Sequence, residues 1–125
     1  SHRNLIDKEL TAIKETLQGF TITPFVFVDS YPFRPIHEEE MMKQAMLDID
    51  NSDILIAQTS QKAIGIGVEV GYAKARGKKI IYIRKSDAEH STTISGMSDF
   101  KIIYTDTKDL QNQLGNVLNY NIHPR

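Results

Sequence analysis

The sequence predicts an α/β protein in which helices cover both faces of a parallel sheet. Short continuous apolar runs, rich in β-branched and aromatic side chains, are typical of strands that are buried on both faces. Amphipathic segments with helical spacing separate these runs, and such an alternation is typical of parallel sheets. The chain has 125 residues, of which 40% are apolar. This is enough for one hydrophobic core, so residues 1–125 are interpreted as a single domain.

Four segments have the composition of strands, namely residues 25–28, 53–57, 79–83 and 101–105. Recurring apolar residues predict helices over residues 5–17, 42–49 and 110–118, and a helix of about ten residues between the second and third strands. The connection between those two strands is expected to be a right-handed crossover. Together these elements predict a three-layer α/β sandwich with a parallel, flavodoxin/Rossmann-like sheet of four to five strands.

Composition excludes several classes of function. The formal net charge is −1 and the isoelectric point is about 6.4, so nothing favours binding to a nucleic acid polymer or an anionic membrane. The chain contains no cysteine, which excludes disulfides and cysteine-based zinc sites. No apolar run approaches the roughly 20 residues that span a bilayer. A small-molecule ligand and a cytoplasmic location are therefore expected.

The loop after the second predicted strand is the segment best suited to chemistry. It leads through Gly65 and Gly67 into a helix, where backbone N–H groups and the helix dipole favour a ligand. The glycine spacing through Gly71 fits neither a dinucleotide fingerprint nor a P-loop. Glu69 is expected in the first turn, where the dipole favours an ionised carboxylate, although on spacing alone a helix-stabilising role explains such a glutamate better. Gly67, Gly71 and Ala75 are expected to let the helix pack closely on the sheet.

The sequence resembles the nucleoside 2-deoxyribosyltransferase family and its deoxynucleoside monophosphate N-hydrolase branch. The resemblance is carried by residues 53–73, which contain the glycines and Glu69, and by the following residues 77–83. The resemblance is best over residues 46–118. It implies that Glu69 is a nucleophile toward C1′ of a (deoxy)ribose, that no metal or organic cofactor is needed, and that the substrate is a nucleoside or nucleotide. The loop at residues 91–96 resembles one that reaches a neighbouring subunit's site, which implies a homodimer or larger homo-oligomer and a binding role for Ser91.

Several positions depart from the family pattern. The helix aspartate of the family falls on Ala45, and Asp48, one turn later, is the substitute candidate for the acid. The phosphate-binding serine of the hydrolase branch falls on Ala63, which argues against a preference for monophosphates; Ser60 and Lys62 are the candidates that could compensate.

The start of the chain also departs from the family. Family members usually begin with a strand, whereas this chain opens on a helix. In the loop after the first predicted strand, Asp29 is a candidate for ribose binding and Tyr31, with Phe33, for stacking a base. Two functions remain open at this point: N-glycosidic bond cleavage or transfer, and a binding module of the same fold that has lost turnover.

Overall fold

The computed structural model of the protein describes residues 2–20, 22–27, 38–58 and 64–121, and for residues 2–7, 27, 64 and 65 it describes only the backbone. Helices and strands alternate along the described chain. The helices are α1 (His2–Leu17), α2 (Glu38–Asp50), α3 (Ile64–Ala75), α4 (Thr92–Met97) and α5 (Thr107–Asn121). The strands are β1 (Pro24–Phe27), β2 (Ile54–Gln58), β3 (Lys79–Lys85) and β4 (Phe100–Tyr104).

The four described strands form one sheet in the order β1-β2-β3-β4, and every neighbouring pair is parallel. The chain thus crosses the sheet in one direction. Right-handed crossovers then place the intervening helices on a single face. This prediction agrees with the packing, because α2, α3 and α4 cover one face while α1 and α5 cover the other. The three-layer α/β arrangement predicted from the sequence is confirmed.

Each face of the sheet has its own apolar core, because side chains alternate along a buried strand. Within β2, Ile54 and Ile56 belong to the core beneath α1 and α5. Leu55 and Ala57 belong to the core beneath α2, α3 and α4. All four side chains are fully buried, which explains why the segment is apolar without alternation.

The boundaries differ from the predicted ones in instructive ways. Helix α4 was not expected, since its six residues include threonine, serine and glycine and show no apolar period. Strand β3 continues two residues past the predicted end, through Arg84 and Lys85, because β4 pairs with both. Helix α3 ends as expected for a glycine cap: Gly77 has a φ of 76°, and the following Lys78 N–H returns to the Ala73 carbonyl at 3.0 Å.

The glycines of α3 do not serve close packing on the sheet, contrary to expectation. A Cβ added at Gly67 or Gly71 would meet no atom within 4 Å, and Ala75 is exposed. The residues of α3 that pack on the sheet are Ile66, Val70 and Ala73. The small residues therefore lie on the other side of the helix.

Because all four described strands are parallel, they begin at one edge of the sheet, here called the amino edge, and end at the opposite one, the carboxyl edge. Helix α2 runs toward the amino edge, where the Asp50 carboxylate binds the Tyr72 hydroxyl and Arg76 Nε at the end of α3. The carboxyl edge holds the ends of β2 and β4, at Gln58 and Tyr104. Among the helices described, none is long and apolar enough to cross a membrane.

Candidate functional site at the carboxyl edge

Glu69 lies on the inner side of α3. It shares a helical stripe with Ile66, Val70 and Ala73, all of which contribute to the apolar core beneath α2, α3 and α4. Glu69 is 7% exposed. A carboxylate at such a depth is unusual, because acidic side chains are almost never buried unless they have partners. The residues around it explain its position: the stripe faces the sheet, and position 69 is part of the stripe.

Burial dominates the electrostatics of Glu69. It raises the pKa of the carboxyl from 4.5 to about 7. Glu69 is also the sixth residue of α3, not part of the first turn as expected, and the helix dipole fades beyond that turn. The expected preference for the ionised form is therefore corrected. Near neutral pH the group is divided between its protonated and ionised forms.

One oxygen of Glu69 has no partner. Within the described residues Oε2 is buried and accepts no hydrogen bond. Buried polar atoms are nearly always bonded, so an atom left without a partner requires an explanation. A glutamate that merely stabilised the start of a helix would be exposed and bonded to backbone N–H groups. The alternative role that the sequence left open thus does not fit the geometry.

Asp48 has a different environment. Its carboxylate is exposed and accepts a hydrogen bond from Gln44 Nε2 at 2.9 Å, within α2. It lies two residues before the end of α2, toward the amino edge of the sheet. Ala45, at the position where the family has its acid, packs against the core that surrounds Glu69. The role of Asp48 as the acid stays a prediction, and its surroundings lend it no support.

The remaining predicted site residues are divided between the described and the undescribed parts of the chain. Gly65 and Gly67 lie in the first turn of α3, at its carboxyl-edge end. Ser91 is the N-cap of α4: its hydroxyl accepts from Ile94 N–H at 3.3 Å, and its own N–H donates to the Tyr82 hydroxyl at 2.9 Å. The other candidates lie outside the described residues, namely Asp29, Tyr31, Phe33, Ser60, Lys62 and Ala63.

A buried polar cluster lies on the opposite face of the sheet, and the sequence analysis missed it. Gln58 Nε2 donates to Glu9 Oε2 and, at 3.1 Å, to the Tyr104 hydroxyl. Glu9 and Tyr104 are each 1% exposed. Burial, followed by the hydrogen bond to Glu9, raises the pKa of Tyr104 well above its usual value. The sequence offered one sign of this cluster: Glu9 directly precedes Leu10, which belongs to the apolar face of the predicted amphipathic helix.

Arg84 is a second residue that the sequence analysis did not select. Its Nη1 donates to the Ala88 carbonyl at 2.8 Å and lies 3.5 Å from the carbonyls of Lys85 and Ser86. Its Nε is buried and has no hydrogen-bond partner among the described residues. The strand was expected to end at Ile83, so the sequence analysis placed this arginine in the loop that follows and gave it no role.

No group of three or more metal-ligating side chains occurs in the part of the chain that the structure describes.

Comparison with known proteins gives a clear structural relative. The chain is similar to the CMP N-glycosidase BcmB of Clostridium botulinum, with a TM-score of 0.70 and 24% identity over 94% of this chain and 95% of that chain. A Sir2 enzyme structure matches less well, with a TM-score of 0.50 and 19% identity over 66% of this chain and 32% of that chain. No protein-family profile and no curated protein matches the sequence.

The likeness to BcmB extends over nearly the whole of both chains, whereas the likeness to the Sir2 enzyme includes a third of that protein. The shared feature is therefore the complete arrangement of sheet and helices in the first case and part of such an arrangement in the second. The resemblance drawn from residues 46–118 is confirmed at the level of the fold: this chain has the three-layer α/β fold of a CMP N-glycosidase.

Proposed function

We propose that this protein cleaves or transfers the N-glycosidic bond of a (deoxy)nucleoside or nucleotide, with Glu69 as the nucleophile. The observation that carries the proposal is the buried, unpartnered Oε2 of Glu69 in a chain that shares its fold with a CMP N-glycosidase. Perturbed and unpaired carboxylates concentrate at functional sites, because a catalytic group must keep its bonding capacity for the substrate.

The chemistry follows from one carboxylate and one anomeric carbon. A Glu69 oxygen attacks C1′ while the bond from C1′ to the base nitrogen breaks, and the base leaves with the electron pair and takes up a proton. The resulting glycosyl ester is then attacked at C1′ by water, which gives up a proton and yields the sugar or its 5′-phosphate, or by a second base, which gives up its N–H proton and yields a new nucleoside or nucleotide. In both cases the ester bond to Glu69 breaks and the carboxylate is restored. Dividing one displacement into two lowers each barrier, as in retaining glycosidases.

The acid that protonates the leaving base is the less supported part of the proposal. Asp48 is retained as the candidate because the alanine at position 45 cannot transfer a proton. If Asp48 has this role, Asp48→Asn lowers the rate of base release by about 10²-fold or more. An unchanged rate would remove Asp48 from the mechanism and leave the nucleophile in place.

The decisive experiment measures free base by chromatography after incubation with CMP, cytidine and a panel of other nucleosides and 5′-monophosphates. Wild-type protein is expected to release base, and Glu69→Gln is not. Base release that survives this substitution contradicts the proposal. Ligand-dependent thermal stabilisation without any release would instead support a non-catalytic binding module. Added acceptor base distinguishes transfer from hydrolysis.

Assembly is part of the same proposal. Ser91 is expected to contact the substrate in a neighbouring subunit's site, which requires a homodimer or larger homo-oligomer. Its hydroxyl already caps α4. Sedimentation at increasing protein concentration, with base release measured on the same samples, tests whether activity accompanies association.

A further inference from the structure

One carboxylate at the end of α2 holds this helix against α3. Asp50 accepts hydrogen bonds from the Tyr72 hydroxyl at 2.9 Å and from Arg76 Nε at 2.8 Å. Its backbone carbonyl also accepts from Lys78 Nζ at 3.1 Å. Of the 13 residues of α2, all of which the structure describes, Ile49 alone is fully buried, and the helix packs chiefly on α3. The apolar anchoring of α2 is therefore slight, and the bonds of Asp50 supplement it.

Glu69 lies on the side of α3 that faces α2. Tyr72 and Arg76 follow it by three and seven residues, and residues with this spacing share one side of a helix. Both of these residues reach Asp50, so this side is turned toward α2. Glu69 thus lies where α2, α3 and the sheet meet, about one helical turn from Tyr72.

The burial of Glu69 depends on the elements packed against α3, which are α2, β2, β3 and α4. Their ionisable side chains on this face of the sheet, together with those of α3, are Asp50, Tyr72, Arg76, Tyr82 and Arg84. The other ionisable residues of α2 and α3 are exposed, namely Glu38, Glu39, Glu40, Lys43, Asp48 and Lys74. The residues of β2 and α4 include no ionisable one. Desolvation, rather than a neighbouring charge, raises the pKa of Glu69.

We propose that Asp50, Tyr72 and Arg76 are positioning residues, which hold α2 against α3 and thereby keep the carboxyl group of Glu69 out of water. They act at the amino edge of the sheet, whereas ligands of parallel α/β sheets bind at the carboxyl edge, so none of the three is assigned a contact with the substrate. Their effect on turnover rests on the proposed function, but their effect on the burial of Glu69 does not.

Arg76→Gln and Lys74→Gln form a matched pair of variants. Each removes one positive charge from the end of α3, but Arg76 binds Asp50 of α2, whereas Lys74 pairs with Asp99, just before β4, at 3.4 Å. The lost charge by itself can only raise the pKa of Glu69, because a nearby cation favours the ionised form. Loosening α2 admits water and should lower this pKa, so the two effects of Arg76→Gln have opposite signs.

The titration of the Glu69 carboxyl carbon, followed by NMR and assigned by its absence in Glu69→Gln, measures burial without turnover. The pKa of about 7 should fall by about one pH unit in Arg76→Gln. Tyr72→Phe, which removes the hydroxyl and no charge, should lower it similarly, and Lys74→Gln should not lower it. Circular dichroism verifies the fold of each variant, and Tyr72→Phe carries the test if Arg76→Gln does not fold.

The pH dependence of base release gives a second readout. In Arg76→Gln and Tyr72→Phe, kcat/KM at pH 6 relative to that at pH 8 should rise about fivefold over wild-type, because a larger share of Glu69 is ionised at pH 6. A merely structural loss would lower kcat/KM by the same factor at both pH values and leave this ratio unchanged.

A Glu69 pKa that stays at its wild-type value in both Arg76→Gln and Tyr72→Phe overturns the inference. So does a fall in Lys74→Gln equal to that in Arg76→Gln, because the bond to α2 would then have no special part. In either case, base release that requires Glu69 leaves the proposed function in place. If no base is released, the proposed function fails, and the NMR titration still decides the inference.

Discussion

Glu9 and Glu69 are both buried glutamates, but they lie on opposite faces of the sheet and have opposite surroundings. Glu9 accepts from Gln58 and is bonded to the Tyr104 hydroxyl. Glu69 has an oxygen with no partner in the described chain. A bonded buried carboxylate contributes to a defined packing arrangement, whereas an unbonded one costs stability unless another molecule supplies the missing bonds. The comparison therefore indicates a structural role for Glu9 and supports the proposed functional role of Glu69.

The largest expected effect is on turnover. Glu69→Gln should lower base release by about 10³-fold or more, because the amide lacks the nucleophilic carboxylate. Glu9→Gln keeps a carbonyl acceptor for Gln58 and should stay within about tenfold of wild-type. Parallel measurements of released base on both variants test this difference. Comparable losses in the two would show that the buried glutamates do not differ in role.

The next largest effect is on stability, where we expect the substitution of Glu9 to be more damaging than that of Glu69. Glu9→Ala leaves one N–H of the Gln58 amide and the O–H of Tyr104 without an acceptor in the core, and should cost about 2 to 4 kcal/mol in the free energy of unfolding. Glu69→Ala removes a group that had an unbonded oxygen, and should cost clearly less. Urea denaturation followed by circular dichroism measures both, and a larger loss at position 69 would contradict the comparison.

The pH dependence of stability sharpens the assignment of Glu69. Its pKa of about 7 in the folded protein exceeds the ordinary value of 4.5, so the folded protein binds this proton more tightly than the unfolded chain does. The corresponding stability is fully present below about pH 4.5 and is lost as the pH rises through about 7. As the pH rises from 4 to 8, the free energy of unfolding of Glu69→Gln should increase by up to about 3 kcal/mol relative to that of the wild-type protein.

Denaturation of the wild-type and Glu69→Gln proteins across this pH range gives the difference directly. Since the nucleophile must be ionised, kcat/KM for base release should also fall below about pH 7 as Glu69 is protonated. A stability difference that does not change with pH would show that Glu69 is not the group that titrates.

The smallest effect concerns the hydroxyl in the Glu9 cluster. Tyr104→Phe keeps the buried ring and removes the hydroxyl, while the hydrogen bond from the Gln58 amide to the Glu9 carboxylate remains. We expect a loss of about 1 to 2 kcal/mol, smaller than that of Glu9→Ala, and unchanged base release. If Tyr104→Phe is as damaging as Glu9→Ala, the hydroxyl rather than the carboxylate holds the cluster together.

Strong local patterns explain why most of the fold was predictable. The all-apolar segment of β2 and the helical spacing of Leu110, Leu114 and Leu118 in α5 each match one secondary structure. Helix α4 has no such pattern, and it forms because Ser91 caps it and Ile94 reaches the core. Its stability comes from tertiary contacts that a local pattern cannot show.

The site was predictable only where one short motif carried it. Glu69 was selected from its glycine-flanked neighbourhood, and the structure adds its burial and its raised pKa. Arg84 and Gln58 were not selected, because each directly follows a predicted strand and no local pattern shows that its side chain is buried or bonded. Their environment depends on neighbouring strands that are distant in the chain.

By itself, the sequence of this protein determined the α/β class and the parallel sheet, since apolar periodicity is a local property of a chain, and it singled out Glu69 through the family resemblance of the segment around it. Only the tertiary structure decided which carboxylates are buried and which are bonded. Those properties depend on desolvation and on partners far apart in sequence, as the contact of Glu9 with Gln58 and Tyr104 shows.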